Sequence, residues 1–139
     1  MSYFSTKQAL VEALINSAIF AADELGFENN VFDPDGKDIY AECYFIPADE
    51  VSLGKDASSS DDQRGIFQVS VFVKKNSGNF DNDQLVKIDE LRNLFKYGSV
   101  LTYNTQKVNI LESSLNNGTE LESWFRRDLS INYSTFSER

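Results

Sequence analysis

Apolar residues near the start of the chain recur at helical spacing. Leu10, Ala13, Leu14, Ser17, Ala18 and Ala21 share one stripe of a helix over residues 5–24, because positions three and four apart fall on one face. Ser5 or Thr6 offers an N-cap hydroxyl and Gly26 a C-terminal stop. Val11, Ile15, Ile19 and Ala22 form a second stripe beside the first. Two apolar stripes exceed what one sheet face covers, so the surplus is expected under a loop or against a neighbouring subunit.

Beyond this helix the period changes to two. A short strand over residues 27–32 leads to a turn at Asp33-Pro34-Asp35-Gly36. In the next strand, residues 39–46, Ile39, Ala41, Cys43 and Phe45 share one face and Tyr40 and Tyr44 the other. Residues 64–75 alternate most clearly, with Phe67, Val69, Val71 and Val73 set against Gln68 and Ser70, while Ile66 and Phe72 make the second face partly apolar. Between these strands, residues 47–63 read as a polar, acidic, serine-rich loop. A loop of that length in a compact domain is usually functional or disordered.

A second helix is expected over residues 82–97, with Leu85, Ile88, Leu91 and Phe95 inward and Gly98 at its end. Strands then follow at residues 99–103 and 108–115, and Asn116-Asn117-Gly118 is a hairpin signal. In the last strand, residues 120–135, Leu121, Phe125, Leu129, Ile131 and Tyr133 share a parity that Arg127 breaks, with Trp124 and Arg126 opposite. Strands joined by turns rather than helical crossovers favour antiparallel pairing. The expected fold is α+β: a mainly antiparallel sheet with the N-terminal helix and a second, central helix packed on one face, in a single domain over residues 1–139.

Composition narrows the chemistry. The 139 residues are 41% hydrophobic and 13% aromatic, enough to build a core. There is no histidine, which removes Ser-His-Asp and Cys-His sites and histidine-ligated zinc. The single cysteine, Cys43, has no internal disulfide partner, and its apolar strand setting suits a small buried side chain rather than a nucleophile. Asp33-Pro34-Asp35-Gly36-Lys37-Asp38 resembles a calcium loop only at its start: Lys37 takes the fifth position, Asp38 the sixth, where Gly belongs, and Tyr44 the twelfth, where Glu belongs. Gly54 and Gly65 stand alone, so no glycine-rich phosphate loop is present. No enzyme, metal or cofactor is therefore expected.

The formal charge of −9 opposes a groove that grips nucleic-acid phosphates, yet it suits a wall past which DNA slides. No apolar run reaches the roughly 18 residues of a membrane span, and the start lacks a basic segment leading into an apolar one. A cytosolic product without membrane contact is expected.

Several segments in order carry a family resemblance. They are the aromatic strand Phe27-Glu28-Asn29-Asn30-Val31-Phe32, then Pro47 with Leu53-Gly54, then Gly65-Ile66-Phe67-Gln68-Val69-Ser70-Val71-Phe72-Val73, followed by a helix and a closing strand containing Trp124. This pattern resembles the phage tail-terminator-like family over almost the whole chain. The resemblance implies a structural virion protein of the tail and neck, forming a ring of six copies like the lambda-type protein, that caps the tail tube. Its implied partners are other copies of itself, the tail-tube protein and the head-side connector, with DNA crossing the lumen without specific binding. Candidate subunit-interface residues are Val11, Ile15 and Ile19. Candidates in the loop for contact with a neighbour, the tube or the pore are Val51, Leu53, Asp56, Asp61, Asp62 and Arg64. Other open readings are a tail-tube or head–tail joining protein, and a monomeric acidic adaptor or DNA mimic.

Overall fold

Two helices pack on one face of a seven-stranded sheet. The computed structural model describes residues 3–52, 60–76 and 81–138. In chain order the elements are α1 (Tyr3–Ser17), a 3-10 turn (Ala22–Glu24), β1 (Leu25–Phe27), β2 (Ile39–Ser52) and β3 (Ser60–Lys74). These are followed by α2 (Asn82–Leu94), β4 (Val100–Tyr103), β5 (Gln106–Leu115), β6 (Thr119–Glu120) and β7 (Trp124–Glu138). The sheet runs β1-β2-β3-β7-β5-β4, with β6 beside the start of β7. Every pairing is antiparallel except β1 with β2. The α+β class and the helix-on-sheet arrangement are those expected.

The core lies between the helices and the odd-numbered face of the central strands. Ala9, Leu10 and Leu14 of α1 and Ile88, Leu91 and Phe95 at α2 meet Ala41, Cys43, Phe67, Val69, Val71, Leu129, Ile131 and Tyr133. The alternation read in β2 and β3 selects this face, since successive side chains in a strand point to opposite sides. Ring contacts reinforce it: Phe67 lies 5.8 Å from Phe95, and Phe45 stacks on Tyr133 at 5.8 Å. The central pair of β3 and β7 is unbroken from Ser60↔Glu138 to Lys74↔Trp124.

Five features differ from the sequence expectation, each for a local reason. First, α1 ends at Ser17, not near residue 24. Ala18 turns left-handed (φ 57°), the Ser17 hydroxyl donates to the Leu14 carbonyl, and the Ile19 N–H donates to the Ser17 oxygen. Ser17 thus competes for backbone groups that would continue the helix. Second, Gly26 lies inside β1, where its lack of a side chain admits Phe32 and Glu42; the aromatic segment that follows is a turn with Asn29 left-handed, not a strand.

Third, the described parts of the segment 47–63, residues 47–52 and 60–63, are strand rather than loop. β2 and β3 continue as a paired arm, Glu50↔Gln63, Val51↔Asp62 and Ser52↔Asp61, beyond a bulge between Pro47 and Glu50. Pro47 cannot donate to the ladder, and one extra residue absorbs that interruption. The third strand of the arm is the end of β7, an extended pairing that outweighs polar composition. Fourth, α2 turns Gln84 inward rather than Leu85, which is 37% exposed. Fifth, the closing strand is split: Leu121 donates its N–H to the Trp124 carbonyl, so β6 folds back on β7 as a tight turn and Leu121 leaves the buried set.

Candidate assembly surfaces

The helix-free face of the sheet carries an ordered polar network. Register places Glu42, Ser70 and Asp128 in one row across β2, β3 and β7, with Tyr44, Gln68 and Ser130 in the next. Asp128 is the hub. Its Oδ1 accepts from Ser70 Oγ at 2.6 Å and from Arg126 Nε at 2.7 Å, and its Oδ2 accepts from Asn116 Nδ2 at 2.9 Å. The Asp128 N–H donates in turn to Asn116 Oδ1 at 2.8 Å, so the residue that begins the hairpin is held twice. Gln68 donates to the Ser70 oxygen, and the Tyr44 hydroxyl donates to Glu42.

Burial, the largest single influence, raises the Asp128 carboxyl. The bonds from Arg126 and Ser70, the Arg126 charge and the Asn116 amide together outweigh it and hold the group below its ordinary value. The same bond to Asp128 raises the Arg126 guanidinium. At one end of this face the network meets aromatic rings. Tyr40 stacks on Phe72 at 4.5 Å, Trp124 meets Tyr40 edge-on at 4.8 Å, Phe32 lies 5.2 Å away, and Arg126 covers Phe72. These contacts bury Tyr40 on a face without helices.

On the opposite face a polar clamp ties α2 to β7. Gln84 is fully buried and donates to the Val71 and Phe125 carbonyls, while Arg127 donates to Asp81 Oδ2 at 2.7 Å and lies over the Phe125 ring. This contact explains the break in parity at Arg127: the guanidinium turns inward to pair with the residue preceding the helix. Neither Gln84 nor Asp128 stood out in the sequence. The usable signal was polar residues recurring on one parity of adjoining strands, Glu42, Gln68 and Ser70, which marks an uncovered sheet face.

The three candidate interface residues differ in exposure. Ile15 is 47% exposed on α1. Val11 is half-buried against the core. Ile19 lies beyond the end of the helix, also against the core, and its carbonyl accepts from Lys87 Nζ. The early end of α1 leaves no continuous second stripe. Instead, Tyr3 and Phe4 are exposed at the helix start, Phe4 edge-on to Tyr103 at 5.9 Å. Val51, Asp61 and Asp62 belong to the paired arm, and Arg64 is exposed at its base opposite Ser134. Leu53 and Asp56 lie outside the described residues.

The chemistry of the described residues is that of packing and pairing. Burial, with a smaller push from Glu42, raises the Cys43 thiol from 9.0 to about 12, which leaves it un-ionised at neutral pH. Asp33 accepts the Asp35 N–H within the expected turn, closed by Gly36 in a left-handed conformation. Among the described residues no three acidic or cysteine side chains gather into a metal-binding group, and no helix is long and apolar enough to cross a membrane.

Comparison with known proteins adds the family. A search of curated proteins gives no match. A solved structure superposes with a TM-score of 0.76 over 97% of this chain and 96% of its own at 22% identity, which shows a shared fold. A family model described as phage tail terminator protein matches residues 6–133. The chain therefore belongs to the phage tail terminator family and is a structural component of the phage tail.

Proposed function

We propose that this protein is a tail terminator acting as a hexameric ring that caps the tail tube and joins it to the head-side connector. Family membership supports the role at the tail. The observation that carries the ring is the inequality of the sheet's two ends: one closes with the three-residue parallel strand β1, the other with the four-residue antiparallel strand β4. Surfaces that are not self-complementary meet heterologously, and such contacts, repeated with one rotation, form a ring where that rotation closes. The arm of β2, β3 and β7 and the exposed Phe4 and Ile15 offer further unlike surfaces for that contact.

In this reading the chain is made in the host cytoplasm, is incorporated into the virion, and touches the tail-tube protein on one side of the ring and the connector on the other. The formal charge of −9 suits a lumen that repels DNA phosphates and lets the duplex slide. No catalytic step belongs to this role.

Light scattering at several protein and salt concentrations tests the assembly, read beside electron microscopy of the protein mixed with tail tubes. A discrete species near six times the 15.7 kDa chain, or rings seated at tube ends, is the expected result. Long tubes formed by the protein alone would identify a tube protein. A monomer in solution that also leaves tube ends bare would favour the acidic adaptor.

A further inference from the structure

We propose that Asn117 is a self-modification site at which the chain converts asparagine to isoaspartate and aspartate without an enzyme. Asn117-Gly118 is the chain's one Asn-Gly pair, and Asn117 is exposed in the turn between β5 and β6. An asparagine followed by glycine is chemically labile because the glycine amide nitrogen, unhindered by a side chain, can reach the asparagine side-chain carbonyl carbon. The glycine here also lies under a ring: a Cβ at residue 118 would overlap Phe125, which would have to swing away. The contact that closes the hairpin thus keeps the labile pair in place.

The preceding asparagine is the internal control. Asn116 donates from Nδ2 to Asp128 and accepts the Asp128 N–H at Oδ1, so both ends of its amide are engaged. Among the described residues no hydrogen bond holds the Asn117 amide or the Gly118 N–H. One asparagine is locked and its neighbour is free to rotate.

In the reaction, the deprotonated Gly118 nitrogen forms a bond to Asn117 Cγ, the bond from Cγ to Nδ2 breaks, and ammonia leaves. Water then opens the succinimide at either carbonyl, giving isoaspartate or aspartate. The net change is water consumed and ammonia released, with no oxidant or cofactor. The product carries one more negative charge than the formal −9 of the chain. Isoaspartate also adds a methylene to the backbone between a residue fixed by Asp128 and one fixed under Phe125, which works against both contacts.

The test is peptide mass mapping of the intact folded protein aged in mildly alkaline buffer. The expected result is a gain of about one dalton at Asn117, growing in proportion to hydroxide and resolving into two chromatographic products, while Asn104, Asn109 and Asn116 stay unchanged. In heavy-oxygen water residue 117 should be the one asparagine position that takes up the label. Asn117→Ser should retain the circular dichroism spectrum and remove the gain in that peptide. Asn117 remaining intact, or a gain spread evenly over the four asparagines, would overturn the proposal.

Discussion

Gly65 shows how one absent side chain sets the sheet. An added Cβ would sit 2.7 Å from the Ile46 carbonyl oxygen and closer still to the Tyr133 hydroxyl. Backbone cannot retreat as a flexible side chain can, so Gly65→Ala should lower stability by about 1–3 kcal/mol, read as a fall in denaturant midpoint at unchanged slope. Asp128 makes the second residue-scale case. Its lowered carboxyl contributes stability that is complete above the unfolded value and is lost as pH falls through the folded one. The wild type should therefore lose stability from about pH 5 downward, and Asp128→Asn should flatten part of that acid limb. At neutral pH the same variant should cost about 1–3 kcal/mol, since Arg126 loses its charged acceptor. An acid limb identical in the two proteins would remove Asp128 from the account.

At the scale of elements, α1 separates a core-packed side chain from an exposed one within about one turn. Val11 touches the core and Ile15 is exposed, although both belong to the same sequence stripe. Val11→Ala should destabilise the fold by about 1–2 kcal/mol, because it removes buried methyl groups. Ile15→Ser should change thermal stability of the monomer by no more than about 0.5 kcal/mol, as surface changes do. If α1 forms the ring contact, Ile15→Ser should nevertheless shift the scattering mass towards monomer. A ring that is indifferent to Ile15 would move the interface to the arm or to the sheet ends.

For the whole molecule, ionisation on the alkaline side bears on both faces of the sheet. Burial raises Cys43 from 9.0 and Tyr133 from 10.0, each to about 12, with smaller pushes from the Glu42 and Tyr3 charges respectively. Burial likewise raises Tyr40 from 10.0 to about 12. A raised acid contributes stability that is present below its unfolded value and is lost as pH rises through the folded one. Unfolding free energy should accordingly decline between about pH 9 and pH 12, with ionisation of Tyr40 and Tyr133, followed by ring resonances, appearing together with loss of the fold. Ionisation of Tyr40 or Tyr133 at ordinary values in a chain that stays folded would contradict the buried rings.

The sequence by itself determined the alternation of β2 and β3, the sides of Ile39, Ala41, Cys43 and Phe45, the inward set Ile88, Leu91 and Phe95, and the α+β class. These follow from period alone, because one uncovered apolar face must find a partner. Motif order also carried the family, although the segment around Phe32 that helped to mark it is a turn rather than a strand. Only the tertiary structure decided the rest. Ser17 ends α1 because its hydroxyl oxygen accepts the Ile19 N–H and Lys87 donates to the Ile19 carbonyl just beyond. The acidic segment becomes an arm because β7 supplies a third strand along it. Gln84 and Arg127 turn inward, and Asp128 becomes a hub, because Val71, Asp81 and Ser70 respectively reach them from 13, 46 and 58 residues away along the chain. Local pattern reports which face of an element is apolar; which polar groups find one another depends on how those elements are brought together.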